Sequence, residues 1–238
     1  MEQLDWLAVV RHGLSTGNVT AEKAETGGAE TIEIPERDAD VPLADIGREQ
    51  AEAVGRFLRE HRPDVAVVSP YLRTRQTAEL ALAGSGVEIV VDERLRDREL
   101  GVLDLLTARG VQARLPDEAA RRARLGKFYY RPPGGESWAD VLLRLRALLR
   151  ELHQDRPGGR VVLFAHEATV LMVRYLAEGM LEGELMELAR RTTIANCSVS
   201  SWRRAGDRWE PEMFNAVEHL HREDTPPTKQ EDVNAEPV

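Results

Sequence analysis

One cysteine in 238 residues, Cys197, excludes an intrachain disulfide framework and fits a reducing compartment. No uninterrupted apolar stretch approaches the ~18–20 residues of a membrane span. Glu2 and Asp5 interrupt the N-terminus where a signal peptide would need a basic region and an apolar core. An excess of positive charge is missing as well. The 32 lysines and arginines stand against 41 acids, a formal net charge of −9, which argues against broad nucleic-acid binding. An anionic small substrate is still compatible, because it needs only a local cluster of positive charge. There is no Walker loop and no complete dinucleotide glycine fingerprint. His219 and His221 lack an evident third ligand, so no metal or other cofactor is expected. These absences leave a soluble cytoplasmic protein with enough length for a substantial core.

Apolar runs at 7–10, 65–68, 87–91 and 161–165 predict four short buried strands. Between them, Ile46, Ala53, Val54, Phe57 and Leu58 share one face of a helix over 45–61. Ser69-Pro70 opens a second helix reaching about residue 83. Trp138, Val141, Leu142, Leu145, Leu148 and Leu149 form the apolar stripe of the clearest amphipathic helix, 136–153. A further helix is expected at 167–178, and 193–202 with 209–214 read as a strand pair turning at Gly206-Asp207.

Strands that alternate with helices and are apolar on both faces predict an α/β fold, a three-layer α/β/α sandwich around a mainly parallel sheet. The expected domain is 1–220, with two insertions near its active site. Stretch 19–42 is rich in Glu, Thr, Gly and Pro and lacks periodicity, a long excursion of the kind that is functional or disordered. Stretch 102–135 is irregular, with an arginine-rich helical piece. Residues 221–238 are polar, with consecutive prolines, and read as a disordered tail.

In a parallel sheet, ligands gather beyond the carboxyl ends of the strands. His12 follows the first strand, Arg73 the second, Asp97 the third and His166 the fourth, so four reactive side chains can converge on one pocket. A histidine there can attack phosphorus and hold the phosphoryl group as phosphohistidine. Arg11, Arg73 and His166 supply the positive donors that phosphoryl transfer requires. Ser15 and Asn18, in the loop after His12, can add neutral hydrogen bonds.

The leaving oxygen needs a proton. The segment Leu95-Arg96-Asp97-Arg98-Glu99 offers two acids, which face one side if the segment is extended, with Arg94, Arg96 and Arg98 on the other. The basic stretch 121–131 is either a lid over an anionic substrate or a solvated helix face. Cys197 and Arg203 have the spacing of a cysteine phosphatase, but the residues between them read as a strand without glycine, so Cys197 is expected in the core.

Taken in order, several motifs together resemble the histidine phosphatase superfamily, the group that contains cofactor-dependent phosphoglycerate mutases and many small phosphatases. They are Arg11-His12-Gly13 with Asn18, Pro42-Leu43-x-x-x-Gly47-x-x-Gln50-Ala51, Ser69-Pro70-x-x-Arg73-x-x-Gln76-Thr77-Ala78, Leu95-Arg96-Asp97, Gly134-Gly135-Glu136-Ser137, and His166. The resemblance spans Trp6 to Trp202. It implies a phosphoglycerate mutase-like fold, with His12 as the phosphorylated nucleophile and Arg11, Arg73 and His166 as the phosphate pocket. The acid position, usually Glu in the family, falls on Asp97. Leu14 stands where Glu or Gln is frequent, Glu167 where Gly is common, and the 19–42 connection is longer than usual. Asp97 is one methylene shorter than Glu, which keeps Glu99 as a second candidate acid.

The sequence therefore reads as a metal-independent phosphomonoester hydrolase acting through phosphohistidine on a small phosphorylated metabolite. The alternatives are a phosphoglycerate mutase-type phosphotransferase, which needs a bisphosphate primer, and a catalytically weak phospholigand-binding protein. The expected partner is the small phosphorylated substrate, with no nucleic acid and no membrane. Oligomeric state stays open, with a homodimer possible.

Overall fold

The structure, a computed structural model, describes residues 4–229. Among them, one six-stranded sheet runs in the order β3-β2-β4-β1-β5-β6. β1 (Trp6–Arg11), β2 (Val65–Val68), β3 (Glu88–Val91) and β4 (Arg160–Ala165) are mutually parallel, and β5 (Val199–Ala205) and β6 (Arg208–Ala216) add an antiparallel edge. The helices are α1 (Thr16–Thr26), α2 (Asp45–His61), α3 (Leu72–Ala81), α4 (Ala108–Arg114), α5 (Pro116–Leu125), α6 (Trp138–Asp155), α7 (Glu167–Glu178), α8 (Glu182–Arg191) and α9 (Glu218–His221).

Strand alternation divides the interior into two cores. Leu7 and Val9 of β1, Val65 and Val67 of β2, and Val161 and Leu163 of β4 point to one face, where α6, α7 and α8 cover them. Trp6, Ala8 and Val10, Ala66 and Val68, and Val162 and Phe164 point to the other, under α2, α3 and α9. Successive side chains of a strand face opposite ways, so an unbroken apolar run feeds both cores at once. The mainly parallel three-layer architecture follows from that pattern. Among the described residues, no helix is long and apolar enough to cross a membrane.

Three expectations need correction, and one element was not foreseen. The run at 87–91 forms β3, but as an edge strand paired only with β2, leaving Ile89 and Val91 exposed. The stretch 19–42 is not a continuous excursion, because its first third belongs to α1, whose start is fixed by a capping box between Ser15 and Asn18. Helix α8 occupies a stretch left without an expectation. The strand expected from 193 begins only at Val199. Ahead of it, Cys197 adopts a left-handed backbone (φ 53°) and donates its N–H to the carbonyls of Arg11 (3.1 Å) and His12 (3.3 Å). That geometry costs a non-glycine residue energy, and it turns the chain toward the end of β1.

The tail also differs from its expectation over 222–229. Thr225 is buried and accepts a place in the turn after α9, its N–H donating to the Leu220 carbonyl (3.1 Å). Pro226 and Thr228 receive hydrogen bonds from buried side chains of the body. Polar composition predicted solvation, but these polar groups find partners in protein. The remainder of the expected tail, 230–238, lies outside the described residues.

The two insertions lean on each other. Thr31 and Leu106 form an isolated antiparallel bridge, Ile32 N–H donates to the Leu105 carbonyl (2.9 Å), and Thr107 Oγ1 donates to the Ala29 carbonyl (2.6 Å). Leu100, Leu103, Val111 and Tyr130 form a small third core beneath this pairing.

Candidate active site

Arg11 and His12 leave the carboxyl end of β1 fully buried. The loop they enter is pressed against the first turn of α2. A Cβ on Gly13 would collide with the Gly47 carbonyl, and one on Gly47 would collide with the backbone of Leu14. Both glycines are needed because two backbones touch there. Gly13 N–H donates to Thr77 Oγ1 (3.0 Å), which itself donates to the Arg73 carbonyl (2.7 Å). Leu14 N–H donates to Gln50 Oε1 (3.0 Å), and Asn196 Nδ2 donates to the His12 carbonyl (3.2 Å). Polar residues of three separate segments thus hold the backbone of one loop.

The His12 ring is oriented by its own loop. Nδ1 lies 2.7 Å from the Gly13 carbonyl oxygen. A carbonyl only accepts, so Nδ1 carries a proton, and in the neutral ring Nε2 is the nitrogen that holds the lone pair. That is the nitrogen able to attack. The second histidine, His166, caps the start of α7 beyond β4, with its ring centroid 5.4 Å from that of His12. His166 Nε2 meets Ser69 Oγ at 2.9 Å, and its Nδ1 lies 3.3 Å from Asp97 Oδ2.

The same Asp97 oxygen accepts from Arg73 Nη2 (3.2 Å), while Asp97 Oδ1 accepts the Arg98 N–H (2.9 Å). Arg73, nearly buried at the head of α3, also donates through Nη1 to the Asp38 carbonyl (2.7 Å) and Oδ1 (2.8 Å). Arg73 and His166 therefore converge on one carboxylate, and a residue of the first insertion steadies the arginine. Charge-assisted bonds such as those of Arg73 to Asp38 and Asp97 fix geometry as well as adding energy.

Tyr71 closes one side. Its ring packs edge-on against His166 (5.1 Å), the Arg73 guanidinium lies 4.9 Å from the ring centre, and its hydroxyl donates to Glu99 Oε1 (3.3 Å). Burial, reinforced by Asp97, Asp38 and Glu99, pushes the Tyr71 phenol well above its ordinary range, so it stays a donor. Asp104 is likewise held above the usual carboxylate range, by burial first and then by Asp38, with Glu99 adding to the effect.

Of the residues expected at the site, His12, His166, Arg73 and Asp97 come together. Arg11 is buried beside them, with its guanidinium donating to the Ile194 carbonyl and standing 3.8 Å from Glu167. Glu167 also accepts the Ile194 N–H (2.9 Å), so its charge is engaged with Arg11. Ser15 and Asn18 are buried and turned toward each other in the α1 cap: Asn18 Oδ1 accepts from the Ser15 N–H (3.1 Å) and hydroxyl (2.9 Å). Glu99 is exposed and reaches the site through Tyr71. Ser69, Gln50 and Thr77 stood in the sequence motifs without a role. Nothing in the sequence marked Asp38, Tyr71 or Asn196.

A family profile described as histidine phosphatase superfamily (branch 1) matches residues 7–217. The chain belongs to that superfamily. It is 29% identical over 231 residues to a probable phosphoglycerate mutase GpmB of Photorhabdus laumondii, across 92% of this chain and 94% of that protein. It is 30% identical over 225 residues to the protein of the same name in Salmonella paratyphi C, across 89% and 93%.

Among solved structures, the mycobacterial glucosyl-3-phosphoglycerate phosphatase complexed with VO3 superposes with a TM-score of 0.73 at 28% identity, covering 90% of this chain and all (100%) of that one. Bacillus stearothermophilus YhfR shares the fold at a TM-score of 0.74 and 22% identity, covering 90% and 98%. The chain is thus an enzyme of the phosphoglycerate mutase-like family, whose named members include both phosphatases and mutases.

The other motifs singled out in the sequence make contacts away from His12. Cys197 is fully buried, and burial pushes its thiol well up despite nearby Arg11, which leaves it a poor nucleophile. His219 Nε2 lies 2.8 Å from the Cys197 carbonyl, so its ring is occupied in the core. Within the basic stretch, Arg121 of α5 pairs with Glu118, and beyond the helix Lys127 lies over the Trp138 ring (5.1 Å) and Arg131 pairs with Asp140.

Proposed function

We propose that this chain is a phosphomonoester hydrolase that acts on a small phosphorylated metabolite through a phosphohistidine at His12, without a metal. The observation that carries the reading is the pinned His12 ring: its Nδ1 proton is committed to the Gly13 carbonyl, which presents the Nε2 lone pair next to His166.

In the first step Nε2 attacks phosphorus. The P–N bond forms as the P–O bond to the alcohol breaks, and Asp97, which must enter this step as the carboxylic acid, gives that oxygen its proton. In the second step Asp97 takes a proton from water, the water oxygen bonds to phosphorus, and His12 leaves. Arg11, Arg73 and His166 balance the charge on the non-bridging oxygens. Asn18 and Ser15 belong to the same pocket in this reading, although each also caps α1. Glu99 is the second candidate acid, reaching the site through Tyr71.

Asp38, Glu99 and Asp104 around Arg73 weigh against a substrate with a further anionic group, such as a phosphoglycerate carboxylate, because like charges at close range repel. The names of the GpmB relatives support a second reading, a phosphoglycerate mutase-type transfer. Phosphate release from an aryl phosphate in the presence of a chelator separates the two. Hydrolysis by the wild type and none by His12→Ala supports the hydrolase. No release, with interconversion of phosphoglycerates after a bisphosphate primer, identifies the mutase. Binding without either reaction identifies a phospholigand-binding protein.

A further inference from the structure

We propose that Thr228 is a positioning residue for the His12 nucleophile, acting through the buried side-chain amides of Gln50 and Asn196. The proposal rests on the reading of His12 given above.

Pro226 and Thr228 lie against Gln50 and Asn196, the two side chains that bond the nucleophile loop. Gln50 and Asn196 are fully buried there. Gln50 Nε2 donates to Thr228 Oγ1 (2.9 Å) and to the Pro226 carbonyl (3.0 Å), and Thr228 Oγ1 donates to Asn196 Oδ1 (3.0 Å). The Asn196 N–H donates to the Thr228 carbonyl (3.0 Å).

The polarity of this chain of bonds is what matters. A hydroxyl has a single hydrogen to donate. With that hydrogen on Asn196, Thr228 can only accept from Gln50. Gln50 faces the loop with Oε1, where it receives the Leu14 N–H (3.0 Å), and the tail with its NH2, which the Pro226 carbonyl also accepts. Asn196 faces the loop with Nδ2, which donates to the His12 carbonyl (3.2 Å), and the tail with Oδ1. One hydroxyl, acceptor from the first amide and donor to the second, thus joins the two side chains that grip the peptide groups on both sides of Gly13. The Gly13 carbonyl is the group that orients the His12 ring (2.7 Å). A buried amide that loses its partner relaxes or turns, and small misplacements of a reacting group cost rate steeply.

The test uses the full chain with Thr228→Val, which keeps the shape and loses the hydroxyl, and Thr228→Ser, which keeps the hydroxyl. Two quantities are read: kcat and KM for an aryl phosphate, and hydrogen exchange of the peptide spanning 12–15. Melting temperature and circular dichroism confirm that each variant is folded. For Thr228→Val the expected result is a kcat lower by roughly tenfold with little change in KM, together with faster exchange at the loop. Thr228→Ser should restore both.

Wild-type behaviour of Thr228→Val would overturn the proposal, and so would equal impairment of the two variants. A kcat loss without faster exchange would overturn the route through Gln50 and Asn196. Faster exchange with full activity would show that the contact has no bearing on the nucleophile. If the wild type releases no phosphate at all, the hydrolase reading fails by itself, and the exchange data alone decide whether Thr228 holds the loop.

Discussion

The carboxyl ends of β1, β2 and β4 and the paired insertions that meet above them are built on opposite principles. At the strand ends, charged and polar side chains are buried and tied to one another: Arg73 and His166 on Asp97, Thr77 on Gly13, Gln50 on Leu14. In the insertions, a four-residue apolar cluster and half-exposed pairs such as Arg114 with Glu30 (3.0 Å) do the holding. Exposed ion pairs contribute little, whereas breaking a buried network is costly. In the proposed reading, the chemistry belongs to the buried floor and substrate choice to the roof.

That division can be broken by substitution. The largest effect is expected at the floor, where His12→Ala should reduce phosphate release to background in a steady-state assay. Asp97→Asn should lower kcat by about 100-fold or more on esters with poor leaving groups and much less on activated aryl phosphates. Equal loss on both would remove Asp97 as the acid and turn attention to Glu99. Gly47→Ala should come next: a Cβ in contact with the Leu14 backbone displaces the nucleophile loop, so both kcat and melting temperature should fall.

Effects in the roof should be smaller and of another kind. Val111→Ala should cost about 1 kcal/mol of stability and alter KM among substrates while sparing kcat. A kcat loss as large as that of Gly47→Ala would show that roof and floor are not separable.

The junction between them gives the smallest effect. Arg131, at the end of the second insertion, hydrogen-bonds Asp140 in the first turn of α6, and with Ser137 it holds that carboxyl at about 2 instead of 3.8. A depressed carboxyl stabilises the fold above its unfolded value and loses that contribution as pH falls through the folded one. Urea unfolding should therefore show a loss of stability between about pH 4 and 2 that Asp140→Asn lacks.

The same contrast explains what could be read from sequence. β1, β2 and β4 were legible because a run such as Leu7-Ala8-Val9-Val10 feeds both cores. The convergence of His12, Arg73, Asp97 and His166 followed from strand order, which topology then enforces. α1 was not legible because its start depends on the Ser15–Asn18 cap and it carries no apolar stripe, burying only Gly17, Asn18 and Ala21.

Asp38 and Asn196 left no mark because each acts through a contact made only after distant segments meet: Asp38 with Arg73, and Asn196 with His12 and Thr228. The polar tail misled for the same reason. Its hydrophilic groups at 226–228 are satisfied by Gln50 and Asn196, and composition does not record whether a polar group meets water or protein.

The most direct test of the central claim is to mix the enzyme with an aryl phosphate and chelator, quench with alkali within one turnover, and measure the intact mass. The expected result is the mass gain of one phosphoryl group, located on His12 by peptide mapping and absent in His12→Ala. Turnover without that adduct, or an adduct that persists in His12→Ala, would contradict it.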